Sequence, residues 1–241
     1  MTQVIEIKNF DSKSKLKDKK NKNLNPMLPK LPFAISLVGA SGSGKTNLLL
    51  NILEQYNKKF RPEDIILISP SIGLDDKLKH INTPWKYDTF DPTIIESVIN
   101  QQKELKKKNT KKIPNLLIIL DDCLQTGAFN HHSIIETAYV RLRHFDISLI
   151  CSSQKYVGLS RTIRLNSKAL ILFEPYNESE FDSILDENSS KYTRLKMKKM
   201  LDLVFSRPFG FILINNSERD KTKRYIDSFQ KYLNLNDFDN N

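Results

Sequence analysis

Cysteine is nearly absent from this 241-residue chain: Cys123 and Cys151 stand alone, and no C-x-x-C pair occurs. That excludes a disulfide framework and argues against a thiolate-bound structural metal. Both thiols fall at the ends of expected core strands, so buried, reduced cysteines are the expected state. Long apolar runs are also lacking, since no stretch approaches the roughly 18 residues that a membrane-crossing helix requires. No charged-then-apolar leader opens the chain, and the expectation is a protein that stays where it is made. Acidic residues are in short supply as well. With 28 Asp and Glu against 38 Lys and Arg, the formal net charge is +10. The imbalance points weakly to a polyanionic partner, because many basic proteins bind no nucleic acid. An apolar share of 39% suits a globular core, and the length suits one large domain or two small ones.

Against these shortages one stretch stands out, Phe33 to Asn51. An apolar run, Phe33 to Val38, reads as a buried strand and stops at Gly39. Gly39, Ala40, Ser41, Gly42, Ser43, Gly44, Lys45 and Thr46 then match the G-x-x-x-x-G-K-[ST] pattern in full. Leu48, Leu49, Ile52 and Leu53 follow at helical spacing, so strand, glycine-rich loop and helix come in the order of a phosphate-binding P-loop. Small residues let successive backbone N–H groups turn inward around an anion, which a Cβ at Gly42 or Gly44 would obstruct. Lys45 can reach β- and γ-phosphates, Thr46 can ligate Mg²⁺, and Asn47 closes the set of nucleotide-contacting positions. The competing reading, a flexible glycine-serine loop before an ordinary helix, does not account for the flanking elements.

A second chemical element begins at Leu116. Leu116 to Leu120 is an unbroken apolar strand, as expected in a parallel sheet covered on both faces, and Asp121 and Asp122 follow at once. Acids at the C-terminal end of such a strand sit where ligands bind. Asp121 suits the Mg²⁺-associated acid and Asp122 the group that orients or deprotonates water; a capping Asp pair is the plainer alternative. Ile147 to Ile150 reads as another strand, running into Cys151, Ser152, Ser153 and Gln154. Gln154 can sense a γ-phosphate, although Ser-Ser-Gln makes an equally good loop. Arg161 and Arg164 lie just beyond, and composition alone favours surface residues over ion-pair members or a finger reaching a neighbour's γ-phosphate.

The remaining chain reads as follows. Residues 1–30 form an N-terminal edge strand (Met1 to Phe10), a lysine-rich arm and a proline-punctuated lead-in; residues 31–233 form the globular domain, and residues 234–241 a frayed tail. Six lysines fall between Lys13 and Lys22 and six between Lys103 and Lys112, either of which could touch DNA or be an ordinary solvated segment. Strands are expected at Ile65 to Ile68, Ala169 to Phe173 and Phe209 to Ile214, with an irregular segment around Pro84 and Trp85. Helices are expected from Asp91 to about Lys107, His131 to His144, Asn177 to Leu185, Lys191 to Phe205 and Arg219 to Leu233. His131 and His132 are adjacent and point apart, so they read as a helix start and not a metal site.

Missing motifs narrow the class. There is no N-K-x-D and no D-x-x-G, which argues against a GTPase, and nothing resembles L-S-G-G-Q. What remains is an additional-strand ATPase of α/β class with a mostly parallel central sheet flanked by helices. The acid-bearing strand is expected between the P-loop strand and the sensor-bearing one.

The series GASGSGKT, ISPS, DPTIIESVINQQK, LLIILDDC, RLRHFDISLICSSQ, RTIRLNSKALILF and FGFILI resembles the poxvirus-type genome-packaging ATPases of large DNA viruses, virophages and related transposons, within the FtsK–HerA superfamily. The likeness spans about Leu31 to Leu233, and its R-H-x-x-I-S…Q…R-T-I-x-L-N-S run is the most diagnostic part. It implies Walker A roles for Lys45 and Thr46, an Mg²⁺-associated Asp121 and a sensor at Gln154. It also implies ring-interface roles among Arg161, Arg164 and Arg143. Asp122 departs from the Glu of cellular members. The implied activity is ATP hydrolysis, with Mg²⁺, in a pentameric or hexameric homo-oligomeric ring around double-stranded DNA. DNA would be gripped through its phosphates and driven into a capsid vertex, in the host cytoplasm (viral factory) or virion. Two other readings stay open: a helicase-like relative in replication or recombination, and a nucleotide-gated assembly scaffold.

Overall fold

The computed structural model describes residues 4–10, 24–56, 59–108, 113–123, 127–130, 132–190 and 193–239, except the side chains of 142 and 143. A nine-stranded sheet runs through it. The strands are β1 (Ala34–Val38), β2 (Ile65–Ile68), β3 (Trp85–Tyr87), β4 (Leu116–Leu120), β5 (Ile147–Ser153), β6 (Ala169–Phe173), β7 (Phe211–Asn215), β8 (Tyr225–Asp227) and β9 (Lys231–Leu233). The helices are α1 (Lys45–Gln55), α2 (Pro92–Lys107), α3 (Ile134–Phe145), α4 (Arg161–Asn166), α5 (Glu178–Asn188) and α6 (Arg194–Phe205).

The order across the sheet is β3-β2-β4-β5-β1-β6-β7-β8-β9. Strands β1 to β6 pair in parallel, and β7 to β9 are antiparallel. Strand β5, which leads into Gln154, therefore lies between β1 and the acid-bearing β4, which corrects the order expected from the sequence. Chain order does not fix lateral order; β5 is also the longer strand, and its residues pair with β1 on one side and β4 on the other.

Alternate residues of each strand feed opposite layers. Ile118, Leu120, Leu149 and Cys151 join α2 to α6 on one face, and Leu117, Ile119, Ile150, Ile35 and Leu37 join α1 on the other. Burial on both faces, contributing roughly 1.5–3 kcal/mol per large aliphatic side chain, is why β4 and β6 read as continuous apolar runs. Both cysteines are buried thiols outside any disulfide; loss of solvation pushes the Cys123 thiol up to about 12 and Cys151 further still.

Four expectations need correction. The segment Arg219 to Leu233 is no helix: Tyr225, Phe229 and Tyr232 belong to a β8–β9 hairpin whose turn places Ser228 and Phe229 at φ 48° and 57°. Strand β3 lies inside the segment taken as irregular. Residues 235–238 are not frayed but form a 3-10 turn against α6, with Lys196 paired to Asp239. Residues 4–10 form no strand. They lie as a strap along α1, where the Lys8 N–H donates to Asn51 Oδ1 and the Phe10 N–H to Asn47 Oδ1, both at 2.9 Å. Ile5, Phe10, Met27 and Leu28 are buried in the α1-side core, so the described part of residues 1–30 packs with the main body. The run from Lys13 to Lys22 lies outside the described residues, as do residues 109–112 of the second lysine run and His131.

Candidate active site

Three chain segments leave the sheet at one edge because of register. Val38 pairs with Ser153, and Leu120 with both Cys151 and Ile68. The P-loop after β1, Gln154 after β5 and the acids after β4 therefore emerge side by side. Lys45, Thr46, Asp121, Asp122 and Gln154 line one cavity of about 840 Å³.

The loop is shaped by its glycines. Gly42 and Gly44 hold φ 78° and 99°, and a Cβ at Gly39 would lie 2.7 Å from both Phe173 Cβ and Ser43 Oγ. Helices α2 to α5 begin with a side chain accepting from a first-turn N–H; α1 begins at Gly44 with no side-chain cap. Its opening amides are thus left for an anion, where the helix dipole adds to the attraction. Ser43 Oγ is buried with no hydrogen-bond partner. The Lys45 ammonium donates to the carbonyls of Gly39 (2.6 Å) and Ala40 (2.9 Å). Burial lowers its pKa, and the charges of Asp122 and Asp121 oppose that shift.

Behind the lysine lies a built carboxylate pair. Burial raises the Asp121 pKa, against hydrogen bonds from Ser152 Oγ (2.5 Å) and Ser69 Oγ (3.2 Å). Ser152 Oγ also accepts from the Asp122 N–H at 3.0 Å. Asp122 sits at φ 53°, a left-handed backbone region that non-glycine residues rarely adopt and that Asp tolerates better than most. Gln154 Nε2 donates to Asp122 Oδ2 at 2.5 Å. Ser69 and Ser152 were given no role by sequence reasoning; their signal was only their place at the ends of strands adjoining β4.

The arginines separate. Arg164 is buried, paired with both carboxylate oxygens of Glu187, stacked over Tyr156 at 4.7 Å and donating to the Leu159 carbonyl. Burial works against the Glu187 charge, yet Arg164 and Tyr156 hold its carboxyl below the usual range. That geometry holds the Arg164 guanidinium within its own chain. Arg164→Ala is expected to cost about 2 kcal/mol and lower Tm by about 4–8 °C; a melt unchanged from wild type would count against this brace. Arg161 is exposed at the start of α4, in the connection that leaves Gln154. Arg143 lies on α3, and its side chain is outside the described residues.

The sequence model of the family described as "Poxvirus A32 protein" matches residues 20–228. The chain belongs to the poxvirus A32 family. Among similar proteins, the uncharacterized protein 015R of Frog virus 3 is 23% identical over 142 residues, covering 58% of this chain and 44% of that protein. The DNA packaging protein OPG160 of variola virus is 27% identical over 186 residues, covering 75% of this chain and 67% of that one. The chain thus spans less than half of the frog virus protein. Among solved structures, the genome packaging NTPase B204 of Sulfolobus turreted icosahedral virus 2, in complex with AMPPCP, superposes with a TM-score of 0.57 at 17% identity. That superposition covers 81% of this chain and 96% of B204, and establishes a shared P-loop ATPase fold.

Proposed function

We propose that this A32-family member is an ATP-hydrolysing motor that drives double-stranded viral DNA into a preformed capsid. The observation that carries the reading is the meeting of Lys45, Thr46, Asp121, Asp122 and Gln154 in one cavity beside an uncapped α1. Walker A amides from Gly39 to Thr46, with Asn47, hold the triphosphate, and Lys45 places a fixed positive charge where phosphate charge accumulates. Thr46 and Asp121 are the residues that would hold Mg²⁺, which neutralises phosphate charge when bound. Asp122, held by Gln154 and by its own constrained backbone, accepts the proton of the attacking water. Ser69 and Ser152 keep the Asp121 carboxylate aimed despite its burial.

Double-stranded DNA, gripped through its phosphates by a homo-oligomeric ring, is the partner that the net charge of +10 and the A32 relationship support. Capsid contact and residence in a viral factory or virion follow from the same reading, and no helix among the described residues is long and apolar enough to cross a membrane. The deciding experiment measures ATP turnover with and without duplex DNA of random sequence. Stimulation that falls as salt rises is the expected result. Absence of turnover under both conditions would transfer the chain to the scaffold reading.

A further inference from the structure

The same cavity is also lined by residues with no assigned role. One is Phe209, which is 71% exposed while its aromatic neighbours Phe173, Phe211 and Phe229 are buried. A lone exposed phenylalanine is unremarkable on a protein surface. This one is not loosely placed. Its backbone is held at φ 58°, and the next residue, Gly210, could carry no Cβ because the Val204 carbonyl would lie 2.1 Å away. Gly210 N–H closes the turn onto the Arg207 carbonyl at 3.0 Å, and Arg207 is ion-paired to the buried Asp227. The turn from α6 into β7 is therefore pinned in a costly conformation that puts an aromatic ring out of the core.

That ring stands beside the phosphate loop. A Cβ built on Gly44 would be 3.6 Å from Phe209 Cδ1. Facing the same cavity is the strap, through Ile7, Lys8 and Asn9. The strap is clasped to α1: Asn47 Nδ2 and Asn51 Nδ2 donate to the Lys8 carbonyl at 2.8 and 2.9 Å, and the Lys8 ammonium pairs with buried Glu54. Asn47, which clasps the strap, directly follows Thr46, so strap, ring and phosphate loop line the same cavity.

We infer that Phe209 is the stacking platform for the nucleobase and that the Ile7–Asn9 strap is the facing wall, so that together they clamp the nucleoside half of ATP. The inference rests on the ATP reading above. A flat hydrocarbon ring offers every base a π-face, which binds by stacking without reading hydrogen-bond edges.

Isothermal titration calorimetry with two probes, ATP and inorganic tripolyphosphate, separates the clamp from the phosphate cradle. Phe209→Ala is expected to weaken ATP binding about tenfold, within the range for loss of one base-stacking ring, and to leave tripolyphosphate binding unchanged. Phe209→Tyr keeps the ring and should restore ATP affinity. Asn51→Ala unclasps the strap from outside the cavity and should shift ATP affinity in the same direction as Phe209→Ala. Equal ATP affinity in wild type and Phe209→Ala, or equal losses for both probes, would overturn the clamp. Failure of the wild-type protein to bind either probe would instead remove the ATP reading beneath it.

Discussion

Lys45→Ala abolishes ATP turnover while the protein stays folded: that is the expected result, read by phosphate release alongside a thermal melt. The ammonium is buried, aimed by the Gly39 and Ala40 carbonyls, and held under the fields of Asp122 and Asp121. A preorganised charge of this kind acts where phosphate charge develops, and removal of even one neutral donor in comparable sites costs about 10²–10³ in rate. A full charge beside a triphosphate exceeds that. The fold, by contrast, loses two side-chain hydrogen bonds, at a cost of about 1–3 kcal/mol for each carbonyl left without a partner, which the melt reads. Turnover at the wild-type rate would displace Lys45 from the chemistry and with it the whole P-loop assignment.

What could be read in advance followed from how local each signal is. The P-loop is contiguous: eight residues, a strand before and a helix after, each constraining its neighbours, and β1 and α1 form where that grammar puts them. Strands β4 and β6 were equally legible, since both faces are covered and no polar residue interrupts them. The order of β4 and β5 was not legible, because it is settled by which hydrophobic surfaces meet across the sheet, long after each strand is specified. The β8–β9 hairpin failed for another reason. Tyr225, Phe229 and Tyr232 mimic a helical stripe, and only the left-handed backbone at Ser228 and Phe229, carried by residues with no propensity for it, makes the turn. Arg164 illustrates the same limit in the site. Its partner Glu187 lies on α5, and no spacing in the sequence marks that pairing.

With the Arg164 guanidinium held by Glu187, Arg161 is the exposed arginine with a described side chain that the proposed ring would offer to a neighbouring subunit's site, with Arg143 the alternative. Arg161→Ala is expected to lower DNA-stimulated turnover by about 10³–10⁵ while leaving nucleotide binding intact, the range seen when a charge-stabilising finger is withdrawn. Loss of rate alone does not show that the arginine acts across an interface, but a mixture does. In rings assembled from Arg161→Ala and Lys45→Ala subunits, some interfaces join an intact Lys45 on one chain to an intact Arg161 on the next. Those interfaces are whole, so two inactive proteins should regain turnover on mixing, with a maximum near equal proportions. If Arg161 served its own chain's site, every site in the mixture would carry one lesion and activity would stay at the floor. Tandem recovery with Arg143→Ala in place of Arg161→Ala, and none with Arg161→Ala, would move the finger from α4 to α3.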